Sequence, residues 1–145
     1  MKSNQPGSGI NHYKALMKQA RKARTRALSP YSGFPVGAAL ETASGRIYLG
    51  CNIESSSYGL TLCAERVALF KALSEGEKKF SRIAIMAGTG KPTPPCGACR
   101  QVLWDFAPDL EVIIGNQNGK IEVRKLTELL PNGFDRRYFK RKRKK

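Results

Sequence analysis

Cys63-Ala-Glu-Arg66 and, further along the chain, Pro95-Cys-Gly-Ala-Cys99 are the two stretches that best predict the fold and chemistry of this sequence. Three thiolates in this spacing can hold one Zn²⁺ and leave its fourth position open, whereas a closed structural site needs four protein ligands. An open zinc site beside a carboxylate favours hydrolytic chemistry. We therefore predict a catalytic zinc site with Cys63, Cys96 and Cys99 as ligands and Glu65 as the group that moves protons.

Both stretches lie where a helix is predicted to begin. Unpaired backbone N–H groups and the positive end of the helix dipole stabilise thiolates at such positions and favour metal over proton. Three thiolates around one Zn²⁺ leave a net negative charge, so a cation is expected beside the sulfur atoms. We predict that Arg66 is this cation and contacts the sulfur atoms. The alternative is that Arg66 is an arginine on an exposed helix face.

Other roles for the cysteines are less well supported. A single C-x-x-C also occurs in redox motifs and in zinc knuckles. A fourth zinc ligand would have to be Cys51 or His12, and neither has a ligand-like spacing. Cys51 ends an apolar run, which favours a small buried side chain. Because three of the four cysteines fall in the motif, a disulfide framework is not indicated, and a reducing cytoplasm is expected.

The hydrophobic pattern predicts an α/β fold in the order α-β-β-α-β-α-β-β. We expect a mixed five-stranded sheet with helices on its faces, in one domain. The first helix should have a basic outer face and end before Ser29-Pro30. Helices are predicted over residues 11–28, 63–73 and 96–106, and strands over residues 36–40, 46–49, 82–87, 110–114 and 120–123.

Charge is the second notable property of the chain. Its formal net charge is +15, and residues 136–145 contain eight Lys or Arg and no acid. Such a run can contact nucleic acid or another polyanion, but a solvated, disordered tail is at least as well supported. We expect disorder in residues 1–10 and 135–145 and a folded domain over residues 11–134. No signal-like or membrane-length apolar run is present in the sequence, so no membrane contact is expected.

Five segments together resemble the small homotetrameric cytidine deaminases. They are residues 31–39 (YSGFPVGAA), 51–54 (CNIE), 57–59 (SYG), 63–66 (CAER) and 94–102 (PPCGACRQV). The resemblance covers roughly residues 11–134 and implies a three-layer α/β/α fold. It also implies one zinc ion per subunit and hydrolytic conversion of cytidine and 2′-deoxycytidine to uridine and 2′-deoxyuridine, with release of ammonia, as a step of pyrimidine salvage.

The resemblance also implies roles for individual residues. Asn52 and Glu54 match positions that hydrogen-bond the ribose hydroxyls, and Phe34 matches an aromatic residue beside the base. Alternate residues of a strand point the same way, so Asn52 and Glu54 can face one pocket.

Three further residues match positions that serve a neighbouring subunit. Ser56 and Tyr58 fall in a segment that reaches into a neighbour's site, and Phe134 matches an aromatic residue that stacks near the base of another subunit. From the residues alone, core packing would be expected for the aromatic side chains of Phe34, Tyr58 and Phe134.

The expected mechanism gives one carboxylate both proton-transfer roles. Zinc lowers the pKa of its water, Glu65 takes the proton, and hydroxide attacks C4 of the cytosine ring. Glu65 then delivers protons to N3 and to the departing amine. Three alternatives remain: a deaminase acting on cytosine in RNA or single-stranded DNA, a deaminase of a cytosine nucleoside antibiotic such as blasticidin S, and a zinc-binding module without catalysis.

Overall fold

The computed structural model describes residues 9–139. Its helices are α1 (Ile10–Arg24), α2 (Ala64–Ser74), α3 (Gly97–Phe106) and the short α4 (Leu126–Leu129). Its strands are β1 (Val36–Thr42), β2 (Ile47–Cys51), β3 (Phe80–Ala87), β4 (Glu111–Gly115) and β5 (Ile121–Lys125). The predicted order of elements is confirmed, except that α4 after β5 was not predicted.

The five strands form one mixed sheet in the order β2-β1-β3-β4-β5. Strands β3 and β4 are parallel, and the other neighbouring pairs are antiparallel. Alternate residues of the central strands pack against opposite layers: Ala39 and Met86 contact α1, whereas Leu40 and Ile83 contact α2 and α3. The three-layer α/β/α arrangement and the mixed five-stranded sheet are therefore confirmed.

Two glycines allow helices to pack closely on the sheet. A Cβ atom at Gly37 of β1 would lie 2.0 Å from the carbonyl oxygen of Ala20 in α1. A Cβ atom at Gly50 of β2 would lie 2.3 Å from the carbonyl oxygen of Ala64 in α2. Any side chain at either position would push its helix off the sheet, so Gly50 helps to fix the start of α2.

Helix α1 ends at Arg24, four residues earlier than predicted. The hydroxyl of Thr25 donates to the carbonyl oxygen of Lys22 at 2.7 Å, which closes the last turn. The following segment is extended at Leu28, which is bridged to Ile53, and Ile53 is bridged in turn to Leu62. This small ladder lies beside the main sheet and holds the residues flanking Ile53 next to the start of α2.

The structure describes part of each segment predicted to be disordered. Ile10 is the first residue of α1. At the other end, Arg136–Tyr138 forms a 3₁₀ turn, and Asp135 accepts a hydrogen bond from Trp104 of α3 at 3.1 Å. The remaining residues of the two segments, 1–8 and 140–145, lie outside the described residues. Within residues 9–139, every helix is too short or too polar to cross a bilayer.

Candidate active site

The three predicted zinc ligands come together at the beginnings of two helices. Cys63 is the residue before α2, Cys96 is the residue before α3, and Cys99 lies in the first turn of α3. Their sulfur atoms all lie within 4.8 Å of one another, and Cys63 Sγ is 3.7 Å from Cys96 Sγ. Tetrahedral zinc with Zn–S bonds of about 2.3 Å separates its sulfur ligands by about 3.8 Å. The donor set and the spacing therefore fit Zn²⁺.

No fourth protein ligand is present in the part of the chain that the structure describes. Among residues 9–139, the three cysteines form the only group of three or more His, Cys, Asp or Glu side chains close enough to share a metal ion. His12 instead contacts Glu41 at 2.9 Å on α1's side of the sheet. Cys51 is half-buried at the end of β2. The geometry therefore supports an open site, as predicted.

Arg66 lies beside the thiolates as expected. Its Nη2 is 3.7 Å from Cys63 Sγ and donates to the carbonyl oxygen of Thr61 at 3.2 Å. Hydrogen bonds from the Cys99 thiol, and then from Arg66 and Cys96, lower the pKa of Cys63 to about 5. The hydrogen bond to Cys63 in turn raises the pKa of Arg66. The local electrostatics thus favour a thiolate at the start of α2.

Glu65 is buried between the cysteines and the sheet. Only 4% of the residue is exposed, and this burial raises the pKa of its carboxyl group. It lines the same cavity as Cys63 and Cys96. A buried carboxyl group with a raised pKa accepts a proton more readily than a free one and can return it, as an acid–base group must.

A cavity of about 420 Å³ joins the cysteines to the predicted substrate residues. It brings together Phe34, Asn52, Glu54, Cys63, Glu65 and Cys96. The other lining residues are Ser32, Val36, Thr61, Ala64, Ile85, Ala87, Thr93 and Pro94. The cavity lies where β1 begins, β3 ends and two helices begin. Side chains from distant parts of the sequence therefore meet in it.

The side chain of Asn52 is held by the backbone of the segment that enters β1. Its Oδ1 accepts from the N–H of Val36 at 2.8 Å, and its Nδ2 donates to the carbonyl oxygen of Phe34 at 2.8 Å. One N–H and one lone pair of the amide remain. The second N–H is therefore the donor that Asn52 can offer to a ligand.

Glu54 is held by three hydrogen bonds from the same entering segment. Its Oε1 accepts from the N–H groups of Tyr31 at 2.9 Å and Ser32 at 3.0 Å, and its Oε2 accepts from the Ser32 hydroxyl. These bonds, the Ser32 hydroxyl first, lower the pKa of Glu54. Since a carboxylate has about four acceptor positions, one is left for a ligand.

Ser32 is a site residue that the sequence did not predict. Its hydroxyl accepts from the N–H of Phe34 at 3.0 Å while donating to Glu54, so it links the aromatic residue to the carboxylate. The spacing Ser32-Gly33-Phe34 is a local signal for such a turn, because serine hydroxyls often bond the N–H two residues ahead. The partner in Glu54, however, is 22 residues away and is visible only in the fold.

The residues expected to serve a neighbouring subunit lie outside this cavity. Tyr58 is 73% exposed, packs edge-on against Tyr31 at 5.5 Å between ring centroids, and lines an adjacent cavity that shares Ser32 and Glu54. Ser56 is exposed and lines neither cavity. Phe134 is 55% exposed and lines a separate surface groove of about 1070 Å³.

Comparison with known proteins agrees with this geometry. Residues 10–115 match the family model described as the cytidine and deoxycytidylate deaminase zinc-binding region. A cytidine deaminase from Halalkalibacterium halodurans is 52% identical over 120 residues, covering 82% of this chain and 91% of the relative. The crystal structure of cytidine deaminase from Burkholderia pseudomallei matches with a TM-score of 0.81 at 48% identity, covering 83% of this chain and 98% of that one.

A three-thiolate site at two helix starts beside a buried carboxylate defines a zinc-binding deaminase. The chain belongs to the cytidine and deoxycytidylate deaminase family. A blasticidin-S deaminase from Bacillus cereus is also similar: it is 35% identical over 109 residues, covering 70% of this chain and 77% of that protein.

Proposed function

We propose that this chain hydrolyses cytidine and 2′-deoxycytidine to uridine and 2′-deoxyuridine with release of ammonia, a reaction of pyrimidine salvage. The observation that carries the proposal is the single cavity in which Cys63, Cys96 and Glu65 meet Asn52 and Glu54. The first three residues supply a zinc site with an acid–base group, and the last two supply polar groups suited to a sugar. The cytidine deaminases at 48–52% identity support the same substrate.

The remaining hydrogen-bonding capacity of the cavity supports a nucleoside substrate. Asn52 has one donor left and Glu54 one acceptor left, once their bonds within the protein are counted. One sugar hydroxyl can accept from the first and donate to the second. Because a single hydroxyl satisfies both residues, a substrate that lacks the 2′-hydroxyl should still bind. Phe34, 40% exposed at the cavity, is available for contact with the base.

The proposed mechanism uses Glu65 as both base and acid. Zinc held by the three thiolates would supply a Lewis acid that makes water nucleophilic near neutral pH. Glu65, buried against the cysteines, takes the proton of the attacking water. As the oxygen bonds to C4, Glu65 delivers this proton to N3. Glu65 then carries the remaining proton of the C4 hydroxyl to the amine, which leaves as ammonia while the C4=O bond forms. Arg66 acts on this chemistry through Cys63, by offsetting the negative charge of the thiolates.

We also propose that the enzyme is a homotetramer with shared active sites. Tyr58, at the edge of the substrate cavity, and Phe134 are exposed aromatic residues, as expected if they contact another subunit. Phe134 stacks on Tyr138 at 5.5 Å between ring centroids, so it already belongs to a small exposed aromatic cluster. Light scattering should give four times the chain mass, and Phe134→Ala should weaken assembly and raise KM together. A monomer with full activity would contradict this assembly.

Two further expectations about partners and location rest on charge and cysteine chemistry. A weak contact of the basic tail with nucleic acid is proposed from the eight cations of residues 136–145. A cytoplasmic location is proposed because reduced thiols are needed as zinc ligands. Truncation after Phe139 tests the tail: we expect RNA binding to weaken and cytidine turnover to stay unchanged.

The experiment that tests the proposed function is a comparison of substrates on one zinc-quantified sample. Ultraviolet absorbance should show turnover of cytidine and 2′-deoxycytidine, with values of kcat/KM within about tenfold of each other. Blasticidin S should react far more slowly. Faster turnover of blasticidin S would favour the antibiotic deaminase, and zinc binding without turnover of any cytosine compound would favour a non-catalytic module.

A further inference from the structure

A basic groove lies on the face of the sheet opposite the substrate cavity. This α1 groove runs between α1 and the turn that joins β4 to β5, and its volume is about 520 Å³. Four cations line it: Lys14, Lys18, Arg21 and Lys120. The remaining lining residues are Met17, Asn116, Gly119 and Ile121.

The positive charge of the α1 groove is not compensated within the described residues. None of its lining residues is acidic, and α1 contains no Asp or Glu in its 15 residues. Within residues 9–139, none of the four lining cations forms an ion pair, whereas Arg46, Arg124 and Arg137 pair with Glu77, Glu122 and Asp135. An anionic partner can therefore contact these four side chains without breaking an existing ion pair.

Both walls of the α1 groove are fixed in place. Met17 and Ala20 bury the inner side of α1 against the sheet. On the opposite wall, Asn116 accepts from the N–H of Lys120 at 2.8 Å and donates to the carbonyl oxygen of Gly90 at 2.8 Å. Lys14 and Lys18 lie about 6 Å apart along the helix axis. The backbones that carry the four cations are thus held in fixed positions on the two sides of the groove.

We propose that the α1 groove is a docking site for the phosphate backbone of single-stranded RNA. A concave row of uncompensated cations suits a flexible polyanion. Because no aromatic ring lines the groove, the contacts are to phosphates and not to stacked bases. The apolar side of α1 is buried in the core, so this helix has no apolar face to insert into a bilayer. Since the groove and the substrate cavity lie on opposite faces of the sheet, the bound RNA is a partner and not a substrate.

The test measures binding of the full chain to a fluorescent 20-nucleotide RNA of mixed sequence between 50 and 200 mM salt. The variant K14E/K18E is compared with K78E/K79E, which makes the same change in charge at exposed lysines outside the groove. We expect K14E/K18E to lose affinity by about tenfold or more at 50 mM salt. The magnitude of its slope of log K against log salt should decrease by about 1.4, because two phosphate contacts are lost and each contributes about 0.7 for a single strand.

Photocrosslinking of the wild-type chain to 4-thiouridine RNA locates the contact, and we expect crosslinks in the α1 peptide. Glutamine versions of both variants provide a second pair if either glutamate variant fails to fold. Equal losses for the two charge variants, the absence of RNA binding at 50 mM salt, or crosslinks confined to the tail would overturn the proposal. The proposal would also be overturned if K14E/K18E weakened binding to phosphatidylserine vesicles but left binding to RNA unchanged. Because no readout is deamination, failure here would leave the proposed function standing.

Discussion

Cys63 and Cys96 are 33 residues apart in sequence, yet their sulfur atoms lie 3.7 Å apart because each residue immediately precedes a helix on the same face of the sheet. The two helices begin at the edge where β3 ends, so the sheet fixes the separation of the sulfur atoms. Cys99 joins them from the first turn of α3. The fold, and not a single local motif, therefore brings the three zinc ligands together. Individual residues of the site can be replaced one at a time to test their roles.

Replacement of Glu65 should separate catalysis from binding. Glu65→Gln keeps the size of the side chain but removes its ability to take a proton, so kcat should fall by about 10²- to 10⁴-fold. Zinc content and the affinity for uridine, measured by calorimetry, should stay unchanged. Glu75→Gln, at the exposed end of α2, is the control and should retain full activity. Substantial turnover by Glu65→Gln would remove this carboxylate from the mechanism.

Ser32→Ala should affect the recognition of the sugar more than the chemical step. Without the hydroxyl, Glu54 loses a hydrogen bond to its charged group and the N–H of Phe34 loses its acceptor. The KM for cytidine should rise about tenfold with kcat nearly unchanged, which corresponds to the loss of about 1.4 kcal/mol. Ser74→Ala, an exposed serine on α2, is the control. 2′,3′-Dideoxycytidine lacks the 2′- and 3′-hydroxyls. If Ser32→Ala lowers activity on this analogue by the same factor as on cytidine, Ser32 has no role in recognition of those hydroxyls.

Arg66 should affect how tightly zinc is held. Arg66→Gln removes the cation that lies 3.7 Å from Cys63 Sγ, so the affinity for zinc should fall about 10- to 100-fold. Competition with a chromogenic chelator measures this change. Arg26→Gln, in the exposed turn after α1, makes the same change in charge away from the thiolates and should leave zinc affinity unaltered. Equal affinities for the two variants would show that Arg66 does not stabilise the thiolates.

Protonation of Asp135 at low pH should weaken its contacts with Arg137 and Trp104. Hydrogen bonds from Arg137, and more weakly from Trp104, lower the pKa of Asp135 from 3.8 to about 2. Because the folded pKa is depressed, the stabilisation is present above about pH 4 and is lost as the pH falls towards 2. Trp104 is the only tryptophan of the chain, so its fluorescence should change over that range. The change should be absent in Asp135→Asn, and its persistence there would assign it to another group.

Elements with strong local patterns could be predicted from the sequence. The apolar run of β3 predicted a central strand, and the cysteine spacing predicted the ligand set, because apolar runs and metal chemistry are local properties. The four-residue helix α4 has too short a pattern to be recognised. The early end of α1 depends on a bridge between Leu28 and Ile53, a distant contact that no local pattern shows.

The polar details of the substrate cavity could not be predicted for the same reason. Asn52 was expected to face a ligand, but most of its capacity holds the backbone at Phe34 and Val36. The link from Ser32 to Glu54 depends on how the segment before β1 folds over the end of β2. These contacts join residues far apart in sequence, and they decide how many hydrogen bonds remain for a substrate.

Deamination of cytidine should depend on a zinc ion held by Cys63, Cys96 and Cys99. The most direct measurement removes the metal with a chelator and returns zinc in steps while cytidine turnover is followed by ultraviolet absorbance. Turnover should be lost on removal and should reach its maximum at one zinc per chain. Cys96→Ser should neither retain zinc nor recover, whereas Cys51→Ser should behave like the wild type. Full turnover by a metal-free sample would show that deamination does not need zinc, and stoichiometric zinc in Cys96→Ser would show that Cys96 is not a ligand.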